Sequence, residues 1–374
     1  MSLFFLLLSL LCALAVTYPY LLYGRLLDVV PSQPLHPKLG HNCSATLVFC
    51  AYNEAASLPQ KLDNIAALKL RHPDLEVLAF DDGSSDGSLD LLLSRRDLLT
   101  VITGSGRNGK AHGMKQLSAR AGGEIIVFTD ANVTLREDAI DALMAWYADP
   151  QVGGVCGSLI YLGTDSSATA AVGSRYWRLE EKLKSKESRT GNVMGADGSI
   201  FSIRRELYPN FPDTVLDDLT VSMHVIFAGL RLIKADDVIA YERIVGKRSD
   251  EIARKIRIAA RAFHTHVFLR QKLNQMHAVD KFKYSSRKLL RWFGGGFLIL
   301  AALFAMLAAW LVSPFLALVC LVICAGLILV GLRANKGPMA SIMEVIIALL
   351  ATQLGIIHAV RGRTFSVWSP AKSR

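Results

Sequence analysis

Cysteine is sparse and without pattern in this chain of 374 residues. Cys12, Cys43, Cys50, Cys156, Cys320 and Cys324 show no metal-ligand spacing, and three of them lie in or beside apolar stretches. This argues against a cysteine metal site and a disulfide framework, and for a reducing compartment with packing roles. No internal repeat or low-complexity tract occurs. Charge is nearly missing from 2–22 and from most of 293–332, and 341–360 is apolar with interruptions at Glu344, Gln353 and His358. About 20 apolar residues cross a bilayer core, so these are membrane segments by length. The first lacks a basic leader and a small-residue cleavage site before Tyr18-Pro19-Tyr20, which predicts an uncleaved anchor over 1–24.

What is present is apolar and basic. Hydrophobic residues make up 52%, the mean hydropathy is +0.33, and 42 Lys and Arg against 32 Asp and Glu leave a net charge of +10. That is too apolar for disorder or for an ordinary soluble domain. With both ends removed, the middle still suffices for one α/β domain with its own core, which favours a membrane-anchored domain over a helical transporter. Pro31, Pro34 and Pro37 read as an extended linker into it. Asn42-Cys43-Ser44 and Asn132-Val133-Thr134 fit the glycosylation sequon, a pattern common by chance.

Short β-rich runs at 45–50, 75–80 and 124–128 alternate with helical spacing at 55–70, 109–121 and 136–147. That order predicts a twisted, mostly parallel sheet with helices on both faces. Each run ends in a polar cluster: Tyr52-Asn53-Glu54, Asp81-Asp82-Gly83-Ser84-Ser85-Asp86-Gly87, and Asp130-Ala131-Asn132. In open α/β sheets ligands bind beyond the carboxyl ends of the strands, so the three clusters are expected to meet on one edge.

Several residues there can carry chemistry. Asp130 and Asn132 suit a hard cation held against a diphosphate, though the same pair also makes a β-turn. Asp81-Asp82-Gly83 reads either as turn chemistry or as a base or ribose contact. Lys110 opens a helix where an ammonium and free N–H groups can meet phosphate. Asp217-Asp218 begins another helix, where the pair complements the dipole or one carboxylate takes a proton from an acceptor hydroxyl. Met194-Gly195-Ala196-Asp197-Gly198-Ser199 lets backbone approach a sugar, or is a plain hairpin turn.

In this order the segments VFCAYNEAASL, AFDDGSSDGS, GKAHG, VFTDAN, GADGSIFSIRREL, DDLTVSMHVIFAGLRL and RKIRIAAR resemble the family 2 glycosyltransferases of GT-A fold, in particular the membrane-bound, cellulose-synthase-like branch that makes exopolysaccharides. The resemblance spans 48–261 and implies a Rossmann-like GT-A domain over 31–265. It implies that Tyr52, Asn53 and Glu54 line the nucleotide, that Asp82 contacts the base and that Lys110 lies near the nucleotide. By the same likeness Asp130 holds a divalent cation, Mg2+ or Mn2+, with Asn132 beside it. Asp218 is then the catalytic base with Asp217 adjacent, Asp197 lines the acceptor side, and Arg254, Lys255, Arg257 and Arg261 form a basic motif behind the base. Two departures stand out: Asn132 replaces the second acid of the Asp-x-Asp motif, and Gln-x-x-Arg-Trp of processive synthases is replaced by Arg254-Lys255-Ile256-Arg257-Ile258. Lys288-Leu289-Leu290-Arg291-Trp292 has a similar look but comes later and abuts the membrane.

The implied activity is inverting transfer from a nucleotide sugar, UDP-linked by resemblance, to a hydroxyl of a growing polysaccharide or lipid-linked glycan. The alternatives are single-sugar transfer to a polyprenyl phosphate or another lipid, and a non-catalytic sugar-nucleotide sensor. Nucleotide sugars put the catalytic domain in the cytoplasm, in a multi-pass inner-membrane protein with lipids and export or polymer-secretion subunits as partners. The basic, aromatic stretch 266–292 is expected to lie along an anionic surface, which makes nucleic acid a poor partner. The membrane helices follow over 293–360, a hairpin of 293–311 and 312–332 first. If 341–360 crossed, it would export the basic tail 361–374 against the positive-inside rule, so a cytoplasmic tail is favoured.

Overall fold

The computed structural model describes residues 1–38, 40, 41, 43–162, 168–243, 248–334 and 336–367. Asn42 of the first sequon and the tail residues Lys372 and Arg374 lie outside the described residues. Two helices, α1 (Ser2–Leu21) and α2 (Tyr23–Leu27), precede the domain. Its first half runs β1 (Ala45–Ala51), α3 (Leu58–Arg71), β2 (Glu76–Asp81), α4 (Ser88–Leu93), β3 (Thr100–Thr103), α5 (Lys110–Ser118), β4 (Ile125–Thr129), β5 (Val133–Leu135) and α6 (Ala139–Trp146). The second half is β6 (Val152–Leu162), α7 (Ala168–Arg189), β7 (Ile200–Arg204), α8 (Asp217–Phe227) and β8 (Arg231–Arg243). Then come α9 (Arg248–Leu273), α10 (Ala278–Tyr284), a π turn over Ser285–Leu289, α11 (Leu290–Trp292), α12 (Gly294–Val312), α13 (Pro314–Arg333) and α14 (Pro338–Val360).

The eight strands form one sheet in the order β3-β2-β1-β4-β7-β6-β8-β5. β1, β2, β3 and β4 pair in parallel, as does β6 with β8, while β7 runs antiparallel to both β4 and β6 and β5 runs antiparallel to β8. The parallel strands read as unbroken apolar runs because both faces are covered. Their side chains alternate with period two. Val48, Cys50, Leu78, Phe80, Ile126 and Phe128 face a core with Met114 and Leu117 of α5 and Leu219 of α8. Leu47, Phe49, Val77, Ala79, Ile125 and Val127 face the opposite core with Leu62 and Ile65 of α3 and Leu143 of α6.

Parallel pairing brings the ends of β1, β2 and β4 to one edge. Antiparallel β7 starts where β4 ends, with Ile200 opposite Thr129. The loop 195–199 therefore arrives at the same edge, and the hairpin-turn reading of it is not met, since it follows a helix and enters a central strand.

α1, α12, α13 and α14 are each long and apolar enough to cross a membrane. Ser313 and Pro314 divide α12 from α13, the break expected in the hairpin. α1 packs on α12, with Ser9 Oγ donating to the Ala301 carbonyl at 2.8 Å. α14 packs on α12, where the Gly296 N–H donates to Gln353 Oε1 at 3.0 Å, and also lies along α9, in the same direction: Arg248 meets Glu344 at 2.6 Å, Gly355 abuts the Ile256 carbonyl with no room for a Cβ, and His264 Nε2 is 2.9 Å from the Arg363 carbonyl.

Candidate active site

At the sheet edge, Lys110, first residue of α5, pairs through Nζ with Asp130 Oδ1 at 2.6 Å. A Cβ placed on Gly198 would stand 2.7 Å from Lys110 Nζ and 3.6 Å from Asp218 Oδ2, so the loop touches both groups with bare backbone. Asp217 sits beside Asp218 at the start of α8 and is buried, 3.8 Å from the Arg261 guanidinium of α9. Burial first, and then repulsion from Asp217, push the Asp218 carboxyl up to about 6, against the pull of Lys110. Lys110 is moved the other way: burial works against its charge, yet Asp130, Asp217 and Asp218 hold its ammonium well above the usual lysine range.

The remaining predicted residues surround this cluster in different roles. Asp82 is wholly buried and accepts the backbone N–H groups of Asn108 (2.7 Å) and Gly109 (2.9 Å), so it fixes the entry to α5 and thereby Lys110. Tyr52 lies under the Arg107 guanidinium, 3.9 Å from the ring centre. Asn53, at φ +52°, accepts from the Ser85 N–H at 2.8 Å, and the Glu54 N–H donates to Ser88 Oγ at 2.8 Å; both join the loop after β1 to the loop after β2. Asn132, two residues on from Asp130, donates to Glu242 of β8 at 3.0 Å.

Asp197 is not aimed at Asp218. Its carboxylate pairs with buried Lys184 of α7, which also meets Glu181 at 2.9 Å. Burial alone would raise Asp197, but the Lys184 ammonium prevails and holds it below the usual carboxylate range. Of the basic motif on α9, Arg261 reaches the acidic pair, whereas Arg254 and Lys255 meet Glu251 at 3.5 and 3.1 Å. Arg257 stands on the same helix.

The structure adds residues that the sequence did not single out. Lys61 of α3 is buried under the turn after β4, donating to the Val133 carbonyl at 2.8 Å and Thr129 Oγ1 at 3.3 Å. Its periodic position marked it only as a helix residue. The carbonyl of Ser366 fills the space a Cβ on Gly109 would need, so the segment after α14 returns to the entry of α5.

Behind the 195–198 loop lies a second charged cluster. Arg287 pairs with Glu187 at 2.5 Å and Glu180 at 3.2 Å, Arg291 pairs with Glu180, and Tyr23 donates to Glu187 at 2.6 Å. Lys283 donates to the carbonyls of Glu187, Thr190 and Asn192. Part of the basic stretch expected on an anionic surface is thus turned into the protein, while Arg270, Lys272 and Lys281 stay exposed.

Among the described residues no three His, Cys, Asp or Glu side chains group to cage a metal. Asp130 nonetheless presents a hard carboxylate oxygen at the sheet edge, beside the Asn132 and Glu242 pair. That donor set fits a cation completed by substrate phosphates and water.

Residues 46–211 match the family model for glycosyl transferase family 2, a span that stops short of Asp217 and Asp218. The chain is 24% identical over 195 residues to the poly-beta-1,6-N-acetyl-D-glucosamine synthase of Staphylococcus aureus (strain COL), covering 50% of this chain and 47% of the relative. It is 23% identical over 240 residues to an N-acetylglucosaminyltransferase of Rhizobium sp. (strain N33), covering 59% and 53%. The chain thus matches about half the length of these curated relatives. In fold it is similar to a mannosyltransferase from Pyrobaculum calidifontis solved with GDP-mannose and Mn2+, with a TM-score of 0.74, 24% identity, and 96% and 99% of the two chains covered.

Proposed function

We propose that this chain, matched over 46–211 by the glycosyl transferase family 2 model and carrying four helices apolar enough to cross a membrane, is a membrane-associated glycosyltransferase of that family, and that it transfers a sugar with inversion from a nucleoside-diphosphate sugar to a hydroxyl of a glycan. The observation that carries this reading is the meeting of Asp130, Lys110 and Asp218 around the bare backbone of Gly198. Lys110 and the N–H groups opening α5 face the diphosphate. A divalent cation, Mg2+ or Mn2+, held by Asp130 with Asn132 nearby, would supply positive charge to the leaving diphosphate. Asp218 takes the proton of the acceptor hydroxyl as its oxygen bonds to the anomeric carbon. The bond from that carbon to the diphosphate breaks, and its electron pair leaves with the nucleoside diphosphate. Asp217 and Arg261 act behind Asp218, the first by raising its proton affinity and the second by neutralising Asp217.

The donor is UDP-linked in this reading, and the acceptor is a growing polysaccharide or a lipid-linked glycan. The domain faces the cytoplasm, where nucleotide sugars are made. The course of α14 supports a tail on the catalytic side: its neighbour along its length, α9, carries Arg254, Lys255, Arg257, Arg261, Arg270 and Lys272 and cannot sit in hydrocarbon.

The test is release of nucleoside diphosphate by purified protein in detergent, across UDP- and GDP-sugars with Mg2+ or Mn2+ and membrane lipid extract, beside Asp218→Asn. Release with one donor that vanishes in the variant is the expected result. Equal traces from both proteins, with nucleotide bound, would overturn the catalytic assignment.

A further inference from the structure

Between the two charged clusters stands one lysine that neither uses. Its neighbours Arg287 and Arg291 are matched by Glu180 and Glu187. The Lys288 ammonium makes no hydrogen bond or ion pair with another described residue. Its side chain lies over the loop before β7, with Cε and Nζ both 3.7 Å from the Cβ position of Gly195. Three residues further along that loop, Gly198 faces Lys110 and Asp218. The loop spans at most about 11 Å from 195 to 198, the reach of a short glycan.

The turn that carries Lys288 borders α1, where the Tyr18 hydroxyl lies 3.0 Å from Ser286 Oγ. Arg291, on the same helical face one turn later, lies over the ring of Tyr20 in α1 at 4.8 Å and donates to the Pro19 carbonyl at 3.3 Å. α12 begins six residues after Lys288. The charged groups acting on its ammonium are Arg287, Glu180, Glu187 and Asp218. The two glutamates are already bound by arginines. Burial, and then Arg287, press Lys288 down to about 8, an opposition that a bound anion relieves. A sugar hydroxyl has no need of such a group, whereas a phosphate forms a short, charge-assisted contact with it.

We infer that Lys288 and the loop at Gly195 form a subsite, on the membrane side of the reacting carboxylate, for the phosphate or diphosphate of a lipid-linked glycan acceptor. The inference rests on the transferase reading above and narrows its acceptor. The lipid tail lies toward α1 and α12, the phosphate meets Lys288, and the sugar hydroxyl reaches Asp218.

The test uses the full chain in neutral detergent and measures binding of farnesyl diphosphate against farnesol, with nucleoside-diphosphate affinity in parallel. Wild type is expected to prefer farnesyl diphosphate by about tenfold or more. Lys288→Met should abolish that preference, Lys288→Arg should keep it, and both should bind nucleoside diphosphate as wild type does. A preference that survives Lys288→Met overturns the subsite. So does loss of nucleoside-diphosphate affinity in that variant, which would put Lys288 on the donor, or competition by phosphatidylglycerol equal to that of farnesyl diphosphate, which would make it a headgroup contact. Failure of wild type to bind any nucleoside diphosphate overturns the transferase reading, and the subsite falls with it.

Discussion

The two charged clusters on either side of the 195–198 loop are built from the same residue types and serve different ends. On the membrane side, Glu180 and Glu187 are buried and matched by Arg287, Arg291 and the Tyr23 hydroxyl. At the sheet edge, Asp130, Asp217 and Asp218 outnumber Lys110 and Arg261, and Lys110, Asp130 and Asp218 stay only half-buried. Matched buried charge fixes geometry, because removing one partner strands the other in low dielectric. Unmatched charge at an accessible edge costs stability and is retained where it acts on a ligand.

This contrast can be broken from either side. The largest effect is expected from Asp218→Asn, which removes the proposed proton acceptor and should lower kcat by about 10²- to 10⁴-fold with the melting temperature nearly unchanged. Arg287→Met should do the reverse. It leaves Glu187 without a guanidinium and Glu180 with Arg291 alone, and should cost about 3–5 kcal/mol in stability, read from thermal unfolding in detergent. An Arg287→Met protein that melts like wild type would show that this cluster is not the scaffold.

Gly109→Ala is a smaller test of the join between the tail and α5. At φ +95°, with the Ser366 carbonyl in the way, an added methyl should cost about 1–3 kcal/mol and weaken nucleotide binding. The smallest effect is a shift in pH dependence. With Asp218 pushed up to about 6, the base is ionised above that pH and protonated below it. kcat/KM should be level on the alkaline side and fall about tenfold per pH unit on the acid side. Asp217→Asn removes one cause of the rise, so the acid limb should move to lower pH. An unmoved limb would mean that burial alone sets it.

Much of the domain was legible from the chain because parallel strands buried on both faces announce themselves as apolar runs. The runs at 45–50, 75–80 and 124–128 lie within a residue of β1, β2 and β4 at either end. The polar clusters after them pointed to one edge because strand direction fixes where parallel strands end. Lys110 and Asp218 join Asp130 at that edge from the starts of α5 and α8, which strand polarity does not place. Asp197 and Asp82 were harder to read, since each carries its charge toward a partner in another element, Lys184 of α7 and the backbone at Asn108 and Gly109 that opens α5. The basic stretch before α12 was legible as charge but not as direction, for pairing with Glu180 and Glu187 requires knowing where α7 runs.

By itself the sequence determined the layered α/β domain, its apolar helices and the edge at which the acidic clusters gather, because period, length and strand polarity are local properties of the chain. Tertiary structure alone decided which charges are matched. It set antiparallel β7 beside β4 and so delivered the 195–198 loop to the site, laid α14 along α9, and left the Lys288 ammonium without a partner among the described residues. Those outcomes depend on contacts between segments far apart in the chain, from Thr129 with Ile200 to Glu180 with Arg291, which no window of sequence contains.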